Sequence, residues 1–189
     1  MPMQKRRVVV TGLGIISPVG TGVENFWKSL VAGKSGIRRI THFDASQFDC
    51  QICGDVLDFN PLDHFSTKEA RHLARFVQFA VVATNEAIRN ANLDLKNIDL
   101  DRMGILIGSG IGSIDTIEDE FKKYLEKGPS RISPFFIPKI IINEAAGQVS
   151  IITGARGPNT CVATACATAT MWTCDLSAGY VHINASYRS

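Results

Sequence analysis

The residues best placed to do chemistry lie in one run, Gly157-Pro158-Asn159-Thr160-Cys161-Val162-Ala163-Thr164-Ala165-Cys166-Ala167-Thr168-Ala169-Thr170. Gly-Pro is a turn signal. Thr160 to Thr164 reads as a short buried strand. Cys166 then stands among Ala and Thr, neighbours small enough to let a ligand carbonyl approach the sulfur closely. A helix starting at Cys166 would place that sulfur at its positive end, where free backbone N–H groups favour a thiolate. A nucleophile on the bend between a strand and a helix is the logic of the nucleophile elbow, here with sulfur. The plainer alternative is an inert core thiol, the commoner fate of a cysteine in such company. The rest of the chain has to decide between them.

Other motifs compete less well. Gly33-Lys34-Ser35 suggests a phosphate loop, but Lys28 stands where that loop needs its first glycine, and the position reads as a helix C-cap. Gly12-Leu13-Gly14 and Gly108-Ser109-Gly110-Ile111-Gly112 look superficially like dinucleotide fingerprints. Ser17 and Ser113 replace their third glycines. Close backbone approach or positive φ explains those glycines better. Cys50-Gln51-Ile52-Cys53 lacks the second ligand pair of a zinc site and the strand-to-helix setting of a redox pair. Cys161 falls within the predicted strand, where inert burial is the default, and no role attaches to Cys174.

Composition sets the class. The chain has 189 residues, 45% hydrophobic and 20% charged, as in soluble globular domains. A net charge of +2 with interspersed signs gives no case for nucleic acid. No apolar run is long enough for a membrane span, and the start, Met1-Pro2-Met3-Gln4-Lys5-Arg6-Arg7, has no secretory h-region. Five cysteines, an odd number without a secretory context, point to reduced thiols in a cytoplasmic compartment.

Alternating apolar runs and amphipathic segments predict an α/β fold. The first strand is expected at Arg7 to Thr11. Thr21 and Glu24 have capping-box spacing ahead of a helix with an apolar face of Val23, Phe26, Trp27, Leu30 and Val31, ended by Gly33 and Gly36. Irregular structure follows, around a short strand near Cys50 to Val56. Ser66 and Glu69 then cap the longest helical stripe, Leu73, Ala74, Val77, Ala80, Val81, Thr84, Ala87 and Ile88, running to about Asn90. Met103 to Ile107 is a strand. Ser113 caps a helix carrying Ile114, Ile117, Phe121, Tyr124 and Leu125. Pro134 and Pro138 punctuate a loop, and Ile140, Ile141, Ala145 and Val149 suggest a helix leading into the cysteine run.

Several of these pieces resemble, in order, signatures of the condensing enzymes of the thiolase superfamily. They are similar above all to the elongating β-ketoacyl-acyl carrier protein synthases. The pieces are Arg6-Arg7-Val8-Val9-Val10-Thr11-Gly12-Leu13-Gly14, Ala32-Gly33-Lys34-Ser35-Gly36-Ile37, Ile107-Gly108-Ser109-Gly110-Ile111-Gly112, Ser133-Pro134-Phe135-Phe136-Ile137-Pro138, Ala145-Ala146-Gly147-Gln148 and Thr164-Ala165-Cys166. The resemblance spans residues 5–170 and implies the N-terminal half of a thiolase-like fold, a mixed β-sheet with flanking helices. Residues 171–189 form an unaligned tail, read as a frame change, an unspliced intron or a gene-model error.

The resemblance implies that Cys166 takes an acyl chain from acyl carrier protein and that malonyl carrier protein then condenses with it. Ile111 and Phe136, which would otherwise pass as ordinary core residues, are implied to line the acyl channel, Phe136 reaching across a homodimer interface. It also implies that no metal or organic cofactor is needed and that the substrates ride on phosphopantetheine. The family's two catalytic histidines, buried lysine and second oxyanion donor come from a C-terminal half that this chain does not contain. None of His42, His64, His72 or His182 sits in a matching motif. The expectation is therefore a chain that does not condense alone, is poorly soluble, and leaves the stripe Leu73–Ile88 and the runs Val8-Val9-Val10 and Ile140-Ile141-Ile142 without partners. A polyketide-type ketosynthase and a non-catalytic fragment are the alternative readings.

Overall fold

A computed structural model describes residues 8–163 and 171–174. Cys166, and with it the expected helix start, lies outside the described residues. In chain order come β1 (Ile16–Ser17), β2 (Gly20–Thr21), α1 (Val23–Val31), β3 (Ile37–Arg39), β4 (Ile52–Gly54), α2 (Thr67–His72), α3 (Arg75–Asn90), β5 (Met103–Gly108), α4 (Ile114–Lys127), α5 (Phe136–Ile140), α6 (Glu144–Thr153), β6 (Asn159–Val162) and β7 (Met171–Cys174).

β5 is the axis of the fold. β6 runs parallel to it on one edge, with Ile105 opposite Asn159, and β7 runs antiparallel on the other, with Ile105 opposite Trp172. Both ladders together make the mixed sheet that the sequence predicts. Met103, Ile105 and Ile107 alternate onto one face and are almost wholly buried with Val77, Val81 and Ala87 of α3 and Ala145, Ala146 and Val149 of α6. Burial of each larger side chain of this group contributes roughly 1.5–3 kcal/mol. The turn Gly157-Pro158 is stitched to the start of β5: Gly157 N–H donates to the Met103 carbonyl (3.0 Å) and Ile105 N–H to the Pro158 carbonyl (2.8 Å).

The stripe Leu73–Ile88, expected to lack partners, is instead well covered within the chain: Val77, Gln78, Phe79, Ala80, Val81, Val82, Ala83 and Thr84 are all buried. α6 covers one side of α3. The segment Gly12 to Ile16 covers another, where a Cβ on Gly14 would lie 1.8 Å from the Ala83 carbonyl oxygen. Phe59 packs edge-on to Phe79, with the Arg75 guanidinium over both rings. Val8, Val10 and Ile141 are exposed, as expected.

Four local expectations are corrected. Of the strand expected at Arg7 to Thr11, residues 8–11 are described, and they make only a single bridge at Val10 before Gly12 docks on α3. Thr21 does not cap α1. Gly22 is the N-cap, and the Glu86 carboxylate of α3 accepts Val23 N–H on Oε1 and Ile15 N–H on Oε2, both at 2.8 Å. The capping box at Ser66 and Glu69 forms, but its helix stops at His72. Leu73 and Ala74 are extended, and the buried Gln78 amide donates to the Ala70 and Leu73 carbonyls left open at that end. The segment between Pro134 and Pro138 contains the one-turn helix α5 rather than a loop.

Other expectations hold with small shifts. α1 ends as predicted at Gly33, which is left-handed (φ 65°), with Gly33 N–H on the Leu30 carbonyl and Lys34 N–H on the Ser29 carbonyl. The strand ahead of Cys166 starts at Asn159 and ends at Val162, one residue earlier than predicted at its start. Ser113 is the N-cap of α4 by position, but its hydroxyl bonds Asp115 and Thr116 side chains instead of the helix backbone.

Candidate active site

The carboxyl ends of the parallel strands β5 and β6 point the same way, and in open α/β sheets ligands bind in the crevice outside such ends. Three segments converge there. The first is the loop after β5, Ser109 to Gly112, whose Ser109 N–H donates to the Val162 carbonyl at the end of β6 (3.1 Å). The Ser109 hydroxyl accepts Gly112 N–H (3.1 Å), curling the loop back on itself. The second is Ile140 to Ile142, between α5 and α6. Gly112 has φ 82°, and a Cβ there would sit 2.6 Å from the Ile140 carbonyl oxygen, so only glycine lets these two loops touch. The third is β6, whose Cys161 thiol donates to the Ile142 carbonyl (3.3 Å). Asn159 anchors the other end of that strand, its amide donating to the Ala146 carbonyl (2.8 Å) and reaching Ser150 Oγ in α6.

This geometry sets the loop that carries Ile111 against the end of α5, the helix that Phe136 opens. Ile111 stands on the Gly112 loop and is 60% exposed. Phe136 opens α5 and is partly buried. Neither is an ordinary core side chain. Ile137 and Phe135 are exposed beside Phe136, so the surface there is apolar. Cys166, the third candidate, lies outside the described residues. It follows Ala163, which continues from β6.

The remaining thiols separate by environment. Burial pushes the Cys161 thiol up, and its proton is engaged with Ile142, so it is a packing residue next to the crevice. Cys50 and Cys53 are free thiols. Only Cys53 lies within β4, and Cys50 precedes it with its thiol directed at the Ile52 carbonyl. Among the described residues, no three His, Cys, Asp or Glu side chains converge as a metal site, and no helix is long and apolar enough to cross a membrane.

Glu120 falls in no motif of the sequence, and Ser133 enters only as the first residue of the Ser133–Pro138 signature. Glu120 is the one buried residue of α4. Its Oε2 accepts Ser133 N–H (2.7 Å), just ahead of Phe135 and Phe136, and its Oε1 takes Lys123 Nζ (2.6 Å). One acid among the four in residues 115–120 of α4 carries no pattern that would single it out. His72, which matches no family motif, stacks on Phe135 with ring centroids 4.0 Å apart.

A mixed sheet whose parallel strands end at a glycine loop beside an apolar surface, with a cysteine-bearing run following the second strand in sequence, fits a thiolase-like ketosynthase fold. The solved structure described as the ishigamide ketosynthase/chain length factor superposes with a TM-score of 0.76 at 31% identity, over 88% of this chain and 42% of that one. Residues 5–177 match the model of the β-ketoacyl synthase N-terminal domain, and the chain belongs to that family. It is 46% identical to 3-oxoacyl-[acyl-carrier-protein] synthase 2 of Staphylococcus aureus (strain N315), over 88% of this chain and 40% of that protein. It is 47% identical to the protein of the same name from Synechocystis, over 87% of this chain. The chain thus spans about 40% of the length of the curated relatives it matches.

Proposed function

We propose that this chain is the nucleophile-bearing part of a 3-oxoacyl-acyl carrier protein synthase of fatty-acid synthesis, with Cys166 as catalytic residue and Ile111 and Phe136 as walls of the acyl channel. The observation that carries the reading is the meeting of the Ile111 loop, the end of α5 and the end of β6 beyond the carboxyl end of β5. Cys166 is three residues beyond Ala163, a covalent reach of about 11 Å from that end.

The chemistry follows in two transfers. The Cys166 thiolate attacks the acyl thioester carbonyl, and the phosphopantetheine thiol of the carrier leaves with a proton, so the acyl group is now on sulfur. A malonyl thioester then loses carbon dioxide. Its carbanion attacks the acyl-cysteine carbonyl, a carbon–carbon bond forms, and the Cys166 thiolate leaves. The backbone N–H of Cys166 would supply half of the oxyanion hole. The partner is acyl carrier protein, as the relatives' printed names suggest, and the compartment is the cytoplasm.

A second copy of the chain is the proposed occupant of the outward face of α4. Ile114, Ile117, Phe121 and Tyr124 recur there at the spacing of a helix-pairing seam. The first half of α4 is acidic (Asp115, Glu118, Asp119) and the second half is net basic (Lys122, Lys123 and Lys127 against Glu126), with Lys122 and Lys123 also paired within the helix to Glu118 and Glu120, so an antiparallel pair would set opposite net charges side by side. The structural neighbour described as a ketosynthase/chain length factor favours a polyketide-type reading of the same site as the runner-up.

The test is acyl loading. Incubation with an acyl-pantetheine thioester should add one acyl mass that maps to Cys166 and is absent from Cys166→Ala. Ile111→Phe should narrow the channel and lower the long-chain to short-chain loading ratio by roughly tenfold. An adduct on Cys50 or Cys53, or an unchanged ratio, would refute the assignment.

A further inference from the structure

Ser133 is the centre of a hydrogen-bond chain that runs from α4 to the two phenylalanines. Its N–H donates to Glu120 Oε2 (2.7 Å). Its hydroxyl accepts Phe135 N–H (3.2 Å), and its carbonyl accepts Phe136 N–H (3.0 Å). Glu120 is only 6% exposed, and a buried carboxylate is tolerated when its oxygens are engaged. Both are: Oε1 holds Lys123 Nζ at 2.6 Å. Hydrogen bonds from Lys123 and then from the Ser133 N–H hold its carboxyl below the usual range, so at neutral pH both oxygens are acceptors. From the other side, His72 of α2 stacks on Phe135 at 4.0 Å and 18°. The residue before α5 is therefore clasped between two helices, and one of the two clasps is a single carboxylate.

We propose that Glu120 is the positioning residue for Phe136: through Ser133 it fixes the turn that aims the Phe136 ring and so sets the width of the acyl channel. The inference rests on Phe136 being a channel wall. Glu120 itself touches no substrate. Its reach matters more than its charge, because the contact is one directed bond to a backbone N–H.

That distinction gives the test. In the 189-residue chain, Glu120→Ala and Glu120→Asp, which is one methylene too short, should raise hydrogen exchange of peptides covering residues 129–137 by about tenfold, with residues 103–108 unchanged. Glu120→Gln keeps an oxygen for Ser133 N–H and should stay near the unmodified chain. The ratio of long-chain to short-chain loading should move roughly threefold in the Ala and Asp variants and less than twofold in Gln. A purely structural role would instead raise exchange in residues 103–108 as well, and that result overturns the proposal even if Glu120→Ala fails to fold, since the Asp variant reports it. Unchanged loop exchange in both variants also overturns it. Faster loop exchange with an unmoved loading ratio keeps Glu120 as the positioning residue and refutes Phe136 as a channel wall.

Discussion

α3 and α4 look alike in sequence, and the fold uses them in opposite ways. Each carries an apolar stripe at helical spacing. In α3 the stripe is the centre of the core, and even Gln78 and Thr84 are buried with it. In α4 the stripe faces out: Phe121 is 58% exposed and Leu125 67%, while the buried residue is a carboxylate, Glu120. Periodicity says which residues share a face; what covers that face is decided by the rest of the chain. α3 has α6, the Gly12–Ile16 segment and the Phe59 cluster around it. α4 has α5 and the turn before it on its polar side, where Glu120 meets Ser133.

The largest effect should come from breaking α3. Val81→Asp puts an unpaired carboxylate into the core and should cost more than about 4 kcal/mol, enough to abolish the cooperative thermal transition. Phe121→Ser on α4 should shift stability by no more than about 0.5 kcal/mol while reducing association seen by light scattering. Equal losses of stability in the two variants would show that the α4 stripe is also packed within one chain.

Acid should separate the same two regions more gently. The Glu120 carboxyl is held down in the folded chain, first by Lys123 and then by Ser133 N–H, with Lys139 of α5 adding a further favourable charge. Its contribution to stability is therefore fully present above the unfolded value near 4.5 and is lost as pH falls through the lower folded value. The buried run of α3 from Val77 to Thr84 contains no ionisable side chain. The Ser133 amide resonance should therefore move with a midpoint below 4.5 while amides of residues 77–84 stay in place. A Ser133 midpoint at or above that value would remove Glu120 as its partner.

What was legible in the sequence was whatever depends on near neighbours. β5 could be read because Met103, Ile105 and Ile107 alternate between glycines, and the Ser66–Glu69 box could be read because both partners lie within one turn. What was missed was set at a distance. α1 is capped by Glu86, 63 residues from Val23 in sequence, so Thr21 and Glu24 never take that task. The break at Leu73 and Ala74 is stabilised by the Gln78 side chain, which no helical stripe would announce. Residues 8–11 have strand composition yet make only one bridge, at Val10, because the chain turns at once onto α3 through Gly12 and Gly14. At the site, Ile111 and Phe136 became candidates only through resemblance to a family, since spacing alone would have left them as core. Glu120 could not be found at all, because one acid among several is invisible until the Ser133 turn it holds is seen.

The central claim is that the run leaving β6 delivers a reactive thiol to the crevice between the Ile111 loop and α5. The most direct measurement is site-resolved alkylation by iodoacetamide near neutral pH, with and without a long-chain acyl-pantetheine thioester. Of the five cysteines, Cys166 should react fastest, Cys161 should lag because its thiol is held up by burial, and prior acylation should protect Cys166 alone. Fastest labelling at Cys50 or Cys53, or no protection of Cys166 by the acyl donor, would contradict the account.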